Sequence, residues 1–387
     1  MINDFVYYNP VRVYFGNNQF ENLPDVLNEY GNRILLVYGG KSIKNTGLYD
    51  SLQQYLTAFS VFELSGIEPN PDIDSVREGA KLCKDNKIDA ILAVGGGSVV
   101  DAAKWIAAAA YMEHDAWDFF CRKTSIEKAL PLITIITIAA TGSEMNHGGV
   151  ISNRAEVRKV GRSSPLLFPK ASFLNPELTY TVNGYQTVCG SVDILSHVME
   201  LYFHNQGSME MMDSMMESIM KTVVKYGAVA FDEPTNYMAR ANLMWSASWA
   251  INGFLNVGIR QEWTCHTIEH ELSAEYGITH GHGMAILIPR WLRYCYSDDR
   301  SMKYRNFAVN VMGLPTNMTD KELMERSIQM IEELFFGKFR LESSLKSFGI
   351  TEDGLKKIAE KSSAAGSIKG FAELYTDDIY KILLSCY

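Results

Sequence analysis

The chain has 387 residues, which is enough for two domains with substantial hydrophobic cores. Its 47% hydrophobic and 21% charged content excludes a mainly disordered chain, and its net charge of −9 without a basic block excludes a typical nucleic-acid partner. Six scattered cysteines without a CxxC pair, no signal-peptide pattern and no apolar stretch of about 18 residues predict a cytoplasmic protein without a disulfide framework or a membrane span.

Short apolar runs alternate with helical stretches in the first half of the chain, at 33–40, 59–64, 88–97 and 130–138. Such alternation predicts a parallel sheet flanked by helices. Beyond about residue 185 the strand signal ends, and long helical stretches such as "SVDILSHVMELYFH" and "MARANLMWSASWAINGFL" follow. We therefore predict an α/β nucleotide-binding domain at 1–182 and an all-helical metal-binding domain at 183–387.

Two glycine-rich turns follow predicted strands, "YGGKSIKNTG" at 38–47 and "AVGGGSVVDAAKWIAAAA" at 93–110. Without Cβ atoms the backbone can approach a phosphate closely, and the free N–H groups at a helix start can hold the anion. The alternative for a single such turn is a tight connection whose glycines only permit left-handed dihedral angles. Two turns together favour a bound dinucleotide.

The first turn also predicts which nucleotide is bound. Proteins that select NAD usually place an acidic side chain where a strand meets the adenosine ribose. This chain offers Gly39, Gly40, Lys41 and Ser42 there instead. Donors and a cation suit a 2′-phosphate, so we predict NADP(H), with a solvated loop lysine as the alternative for Lys41.

A third candidate turn is "TIAATGSEMN" at 137–146, where Thr137, Thr141 and Ser143 offer hydroxyl groups. Helix capping and turn formation are the alternative roles for these hydroxyls. Downstream, "EVRKVGRSS" carries basic side chains that face either cofactor oxygens or water.

Four of the eight histidines lie within 17 residues, from His266 to His282. His266 and His270 are four apart, so a helix would project both from one face. His280 and His282 lie in the glycine-flanked "THGHGM", which we interpret as a loop. Lone histidines are usually structural, but this concentration favours a metal site.

A second polar pair, Asp193 and His197, is also spaced for one helical face. A carboxylate with up to three imidazoles is a mixed oxygen and nitrogen ligand set, which suits Fe(II), Zn(II) or Mn(II). Taken separately, Asp193 could be a first-turn helix carboxylate and His197 a core histidine.

A competing pattern is "HTIEH", which is formally the H-x-x-E-H of inverted zinc proteases, with Glu269 as general base. The pattern is short and arises by chance. It leaves the glycine turns and the strand and helix alternation unexplained, so we do not favour it.

These motifs together resemble the iron-containing (group III) alcohol dehydrogenases, especially their NADPH-dependent butanol dehydrogenase and aldehyde reductase branch. The resemblance runs nearly end to end and implies a dehydroquinate synthase-like fold. The matching segments are "YGGKSIKNTGLYD", "GIEPNPDIDSVREG", "AVGGGSVVDAAKWIA", "TIAATGSEMN", "VDILSHVMELYF" and "EWTCHTIEHELSAEYGITHGHGMAI".

Residue by residue, the resemblance implies a metal site and a cofactor site. The implied metal ligands are Asp193, His197, His266 and His280. The implied cofactor residues are Gly39, Gly40, Ser42, Asn70, Gly95, Gly96, Gly97, Ser98, Asp101, Thr137, Thr141 and Lys159. Asp101 could equally be a helix carboxylate that pairs with Lys104. His282 adjoins His280, and sequence spacing leaves open an exchange of their roles.

The expected activity is reversible hydride transfer between NADP(H) and a primary alcohol such as butanol or its aldehyde, assisted by one Fe²⁺ or Zn²⁺ ion. We expect the active site in a cleft between the domains, with His270 as a proton relay or as a ring that orients its neighbours. The resemblance also implies a homodimer or larger homo-oligomer. The alternatives are a polyol-phosphate dehydrogenase, a dehydroquinate synthase-like lyase and a non-catalytic, metal-stabilised nucleotide sensor.

Overall fold

The computed structural model describes residues 2–387, which divide into two compact units. The α/β unit comprises Tyr8–Val182 and Ala247–Asn252. The helical unit comprises Asn183–Ser246 and Gly253–Tyr387, together with the N-terminal residues through Tyr7. The predicted fold class, an α/β domain followed by a helical domain, is confirmed.

The α/β unit contains a six-stranded parallel sheet in the order β1-β8-β5-β4-β2-β3 and a separate antiparallel hairpin formed by β6 and β7. The strands are β1 (Arg12–Phe15), β2 (Arg33–Tyr38), β3 (Ser60–Leu64), β4 (Ala90–Gly95), β5 (Leu132–Ile136), β6 (Gly148–Asn153), β7 (Arg158–Ser163) and β8 (Ala171–Leu174).

Helices cover both faces of this sheet. They are α1 (Leu23–Asn28), α2 (Ser42–Asn45), α3 (Leu48–Leu56), α4 (Ile73–Asp85), α5 (Gly97–Ala109) and α6 (Trp117–Phe120). One core joins α1 and α3 to the face that carries Leu36 and Leu92. The other core joins α4 and α5 to the face that carries Leu35 and Ile91. Burial on both faces explains why the central strands are continuous apolar runs rather than alternating ones.

The four predicted strands correspond to β2, β3, β4 and β5, so those predictions are confirmed. The sequence reading missed β1 and β8, each of four residues, and the hairpin. A four-residue strand carries too little periodicity to distinguish it from a loop.

The helical unit contains the remaining long helices. They are α7 (Gly184–Tyr202), α8 (Glu210–Asp232), α9 (Tyr237–Ala250), α10 (Thr264–Tyr276), α11 (His280–Cys295), α12 (Ser301–Asn306), α13 (Asp320–Glu332), α14 (Glu352–Ser362) and α15 (Thr376–Ser385). The last residues of α9 group with the α/β unit. Among residues 2–387, no helix has the length and apolar character needed to cross a membrane.

Two local predictions in this region were wrong. The helical stretch expected at 238–255 ends at Ala250, and Gly253 then takes a left-handed φ of 89° that no α-helix continues through. The segment "THGHGM", expected to be a loop, instead starts α11 at His280.

Candidate active site

Three polar side chains lie along one face of α7, an otherwise largely apolar and almost fully buried helix. They are Asp193, His197 and Glu200, at spacings of four and three residues, which place side chains on the same helical face. All three are at most 5% exposed. The sequence analysis missed Glu200, although its position two turns after Asp193 was the available signal.

A second helix, α10, supplies His266, Glu269 and His270 from its own inward face. It ends at Gly277, whose φ of 68° and N–H bond to the Ser273 carbonyl terminate the helix. Only three residues then separate α10 from α11, so the chain reverses sharply and returns His280 to the neighbourhood of α10.

The two glycines of "THGHGM" allow close packing rather than loop flexibility. A Cβ atom on Gly281 would lie 2.0 Å from the carbonyl oxygen of Cys189 on α7. A Cβ atom on Gly283 would lie 2.8 Å from Cγ of Glu269. The first turn of α11 therefore packs directly against α7 and α10, and this packing determines where His280 lies.

The side chains from these three helices converge. One ligand atom from each of Asp193, His266 and His280 lies within 4.8 Å of the others. Nε2 of His280 is 3.4 Å and Nε2 of His197 is 3.7 Å from Oδ1 of Asp193. The His197 and His266 rings stack with centroids 4.8 Å apart and an interplanar angle of 19°. The structure thus brings all four predicted ligands to one place.

Several polar atoms in this cluster lack hydrogen-bond partners. Oδ1 of Asp193, Nδ1 of His197 and Nε2 of His266 are buried, and no described residue forms a hydrogen bond with them. Leaving a buried polar atom unpaired costs about 1–3 kcal/mol, so such groups rarely gather without a ligand. One carboxylate and up to three imidazoles form a donor set that fits Fe²⁺ or Zn²⁺.

The electrostatic environment favours the ligand forms of these groups. Burial by itself would raise the pKa of Asp193, but charge interaction with His197 and contacts with His280 hold that pKa well below its usual value. Burial lowers the pKa of His197 to about 3. At neutral pH the carboxylate is therefore ionised and the His197 ring is neutral, which are the states that bind a cation.

His282 is excluded from the ligand set by its own partners. Its Nδ1 lies 3.1 Å from the Tyr185 hydroxyl and its Nε2 lies 2.9 Å from the Glu342 carbonyl. Both ring nitrogens are occupied, so His282 does not exchange roles with His280. His270 is half-buried, with its ring centroid 5.8 Å from that of His280.

Glu269 is fully buried, and its carboxylate contacts Nδ1 of His280 and the hydroxyl of Ser273. A general base of an inverted zinc protease must instead reach a water beside the metal. The environment of Glu269 therefore does not support the protease interpretation of "HTIEH".

In the α/β unit, the predicted cofactor turns follow neighbouring strands. Gly39 and Gly40 follow β2, the Gly95–Ser98 turn follows β4, and Thr137 follows β5. Because parallel strands end at the same edge, the three turns lie side by side, and the Thr137 N–H donates to the Gly95 carbonyl at 3.0 Å. Between β2 and β4 the crossover direction changes, which is where ligands bind in such sheets.

The glycines of the β4 turn are required by packing. A Cβ atom on Gly96 would lie 2.4 Å from Cγ2 of Ile138, and one on Gly97 would lie 2.3 Å from Oγ1 of Thr141. None of Gly95, Gly96 and Gly97 has a positive φ, so the left-handed alternative was wrong here. Gly40 differs, because a Cβ atom there would meet nothing within 4 Å and the residue is exposed.

A buried network holds the 141–148 loop against α5. Nζ of the fully buried Lys104 donates to Oγ of Ser143, Oδ1 of Asn146 and the Gly148 carbonyl at 2.7–2.8 Å. Oγ of Ser143 in turn donates to Oδ1 of Asp101 at 2.6 Å. Ser143 thus connects Asp101 and Lys104, and burial lowers the pKa of Lys104 to about 8.

The remaining predicted cofactor residues lie at or near the hairpin. Lys159 is a buried residue of β7 and is paired in register with Ser152 of β6. Asn70 has a left-handed φ of 52°, and the following Pro71 accepts the Ser152 N–H through its carbonyl. Lys41 is exposed in the loop after β2, and no described residue forms an ion pair with it.

Both units match families of known proteins. Residues 10–176 match the family described as iron-containing alcohol dehydrogenase. Residues 187–387 match the family described as the C-terminal part of Fe-containing alcohol dehydrogenases. Together the two matches cover nearly all of the chain.

Similar individual proteins support the same grouping. The chain is 40% identical to NADH-dependent butanol dehydrogenase A of Clostridium acetobutylicum, over 99% of each chain. It is 34% identical to the NADPH-dependent aldehyde reductase YqhD of Escherichia coli, over 94% of each. Its fold matches the crystal structure of NADH-dependent butanol dehydrogenase A from Thermotoga maritima with a TM-score of 0.94 and 38% identity, covering 100% of this chain and 99% of the other.

Proposed function

Because the chain belongs to the iron-containing alcohol dehydrogenase family, we propose that it is a metal-dependent NADP(H) alcohol dehydrogenase and aldehyde reductase. It would interconvert primary alcohols such as butanol and the corresponding aldehydes. The observation that carries this proposal is the convergence of Asp193 with three histidines, in which three buried atoms have no hydrogen-bond partner among residues 2–387. These atoms are Oδ1 of Asp193, Nδ1 of His197 and Nε2 of His266.

Asp193, His197, His266 and His280 would hold one Fe²⁺ or Zn²⁺ ion. When bound, such an ion supplies Lewis-acid polarisation of the substrate oxygen, while the nicotinamide supplies the hydride chemistry. The ionised Asp193 provides the single negative charge, and burial keeps the His197 ring neutral and able to donate its lone pair. Trp263, with its ring centroid 4.8 Å from that of His266, adds an apolar surface beside the ligands.

The cofactor would be held by the turns after β2, β4 and β5. Gly40 supports this proposal, because its missing side chain has no packing explanation and leaves exposed backbone free to approach a phosphate. The turn at Gly96 and Gly97 opens the 13-residue helix α5, and no side chain from the N-cap occupies its first N–H groups. A diphosphate fits such a position. The proposed cofactor residues are Gly39, Gly40, Lys41, Ser42, Asn70, Gly95, Gly96, Gly97, Ser98, Asp101, Thr137, Thr141 and Lys159.

The preference for NADP(H) rests on Lys41 and Ser42. Both side chains are exposed, and the loop from Gly39 to Ser42 contains no carboxylate that could select a free 2′-hydroxyl. On the adjacent strand, the Glu63 carboxylate accepts hydrogen bonds from the hydroxyls of Tyr38 and Tyr49. The names of the relatives are divided between NADH and NADPH, so the support for NADP(H) comes from the local chemistry of Lys41 and Ser42 alone.

His270 is the proposed proton relay. It is half-buried on α10, next to the ring of His280, and so lies between the buried ligand cluster and the surface. We also propose that the protein acts as a homodimer or larger homo-oligomer in the cytoplasm, as the family resemblance implies.

The test is to reload the purified protein with Fe²⁺ or Zn²⁺ and to follow NADPH and NADH absorbance with butanal. We expect oxidation of NADPH that depends on added metal. Absence of oxidation of either nucleotide with metal bound would contradict the dehydrogenase proposal.

A paired substitution tests the nucleotide preference. Lys41→Ala should raise KM for NADPH and leave KM for NADH nearly unchanged. Lys44→Ala is the matched control, because Lys44 belongs to the same turn but packs over the rings of Tyr38 and Tyr49. Equal kcat/KM for both nucleotides in the unchanged protein would contradict only the 2′-phosphate argument.

A further inference from the structure

Two buried glutamates lie directly behind two of the proposed ligand histidines. Glu200 of α7 contacts Nδ1 of His266, and Glu269 of α10 contacts Nδ1 of His280. The side chain of Glu200 is 1% exposed and that of Glu269 is 0% exposed. Neither carboxylate belongs to the ligand set described above.

The contacts on the two rings follow one arrangement. A neutral imidazole that donates its Nδ1 proton to a carboxylate must present the lone pair of Nε2 on the opposite side. Nε2 of His280 lies 3.4 Å from Oδ1 of Asp193, and Nε2 of His266 is buried without a hydrogen-bond partner among residues 2–387. Both Nε2 atoms therefore belong to the cluster around Asp193, and both Nδ1 atoms face a carboxylate.

From this geometry we propose that Glu200 and Glu269 are positioning residues for the metal. Each fixes the tautomer and the ring orientation of one histidine, so that its Nε2 is ready to bind the ion. Carboxylates that hold the far nitrogen of a ligand histidine also increase its basicity. The inference rests on the proposed function, because it concerns the same metal site.

Glu200 has an additional structural task at the start of α10. Its Oε1 accepts the Cys265 N–H at 2.6 Å, and its Oε2 lies 3.2 Å from the His266 backbone nitrogen. These are N–H groups of the first turn of α10, whose N-cap residue Trp263 offers no capping side chain. Glu200 therefore anchors the helix that carries His266 as well as the ring itself.

His197 provides an internal contrast. Its Nδ1 is buried and has no hydrogen-bond partner among the described residues. Its ring is held instead by stacking on His266 and by an edge contact with Trp263. Carboxylate support is therefore specific to the two histidines that come from α10 and α11.

The experiment compares Glu200→Ala, Glu200→Gln, Glu269→Ala and Glu269→Gln in the full-length protein. Co²⁺ is added to metal-free protein, and its dissociation constant is measured by chelator competition, together with the visible absorption spectrum of the bound ion. The control is Glu217→Gln, because Glu217 is a half-buried carboxylate that accepts a hydrogen bond from Tyr202 of α7 and contacts no histidine among the described residues.

We expect both alanine variants to bind Co²⁺ about 10–100-fold more weakly and with an altered spectrum. The glutamine variants should recover part of the affinity, since the amide oxygen still accepts a hydrogen bond from the Nδ1–H group. Loss of the helix cap should lower the unfolding temperature of metal-free Glu200→Ala more than that of Glu269→Ala. If Glu200→Ala and Glu269→Ala both lose affinity for Co²⁺, the shared loss indicates positioning of the histidine rings rather than capping of α10.

Wild-type affinity and spectrum in both alanine variants would overturn the inference. Binding of two Co²⁺ ions per chain, with one lost in Glu269→Ala, would overturn it for Glu269, because that residue would be a ligand of a second site with His270. If an alanine variant does not fold, the same measurements on the glutamine variant at that position test the positioning role. Wild-type protein that binds Co²⁺ without alcohol turnover would contradict the proposed function while leaving this inference standing.

Discussion

Each unit of the protein contains a buried cluster of charged and polar side chains, and the two clusters differ in how their atoms are paired. In the α/β unit, the ammonium of Lys104 has three acceptors, and Ser143 connects it to Asp101. In the helical unit, Asp193 and His266 each keep a buried atom that has no hydrogen-bond partner among residues 2–387. The first cluster is satisfied by protein groups alone, whereas the second keeps the atoms that we propose to bind a metal ion.

The difference teaches how to separate structural from functional polar groups. A buried polar group is stabilising only when it is paired, so a complete network indicates a role in holding the chain together. An incomplete network lowers the stability of the metal-free protein and persists only where a ligand completes it. Removing a charge should therefore change metal binding in the helical unit and stability alone in the α/β unit.

The largest effect is expected for Asp193→Asn. The substitution keeps the side-chain volume and removes the only acidic ligand, so metal affinity and activity should fall by about 100-fold or more. The unfolding temperature of the metal-free protein should fall as well, because the lowered pKa of Asp193 means that its ionised carboxylate stabilises the folded state at neutral pH. Metal analysis, kcat measurement and thermal unfolding check the three expectations.

The matched control for that variant is His282→Gln, since His282 lies on α11 close to His280 but both its nitrogens already have partners. It should retain the metal. Loss of metal in His282→Gln, or retention in Asp193→Asn, would show that the incomplete cluster is not the metal site.

Lys104→Met should have the next largest effect, on stability rather than on metal content. Three acceptors, of which the Ser143 hydroxyl is buried, lose their donor, so the free energy of unfolding should fall by about 3 kcal/mol. The exposed Lys84→Met should change it by less than about 0.5 kcal/mol. Denaturant unfolding measures both, and an equal loss in the two variants would contradict the structural role of the network.

The difference in stability between the wild-type protein and Lys104→Met is expected to depend on pH. Burial lowers the pKa of Lys104 to about 8, below its value in the unfolded chain, so above that pH the unfolded state binds more protons than the folded state. The wild-type protein should therefore gain stability relative to Lys104→Met as the pH rises through about 8. A constant difference across that range would contradict the lowered pKa.

The smallest effects are expected from two glycine substitutions that separate packing from ligand binding. Gly97→Ala forces a Cβ atom against Oγ1 of Thr141 and should cost about 2 kcal/mol of stability. Gly40→Ala meets no atom within 4 Å, so its stability should be unchanged. Its KM for NADPH should still rise by about tenfold, the equivalent of about 1.4 kcal/mol. Unchanged KM in Gly40→Ala would remove that loop from the cofactor site.

Much of the fold could be predicted because its signals are local. The apolar runs of β2, β4 and β5 are buried on both faces, and the glycine-rich turns after β2 and β4 can be recognised directly in the sequence. The short strands β1 and β8 left no comparable signal, since four residues carry too little periodicity to distinguish a strand from a loop. The hairpin that carries Lys159 was missed for a related reason, because charged residues hide the period of its second strand.

The candidate site was only partly visible in the sequence. Histidine density and the four-residue spacings pointed to Asp193, His197 and the segment 266–282, and the family resemblance then selected the four proposed ligands. The sequence did not identify Glu200, because a glutamate in a helix is ordinarily solvated and its burial became apparent only once α10 was packed on α7. The interpretation of "THGHGM" as a loop was wrong for a similar reason, since its glycines meet helix atoms that are remote in the chain.

By itself, the sequence determined which residue types exist at helical and strand spacings, because backbone geometry repeats every few residues and needs no distant partner. Only the tertiary structure decided which polar atoms are paired. Pairing depends on which side chains from separate helices meet in a space closed to water. In such a space, the free energy gained or lost through a hydrogen-bond partner is larger than that of any local conformational preference. The same Asp193, exposed on an isolated helix, would be an ordinary carboxylate; packed beside His266 and His280, it joins a group of side chains that could hold a metal ion.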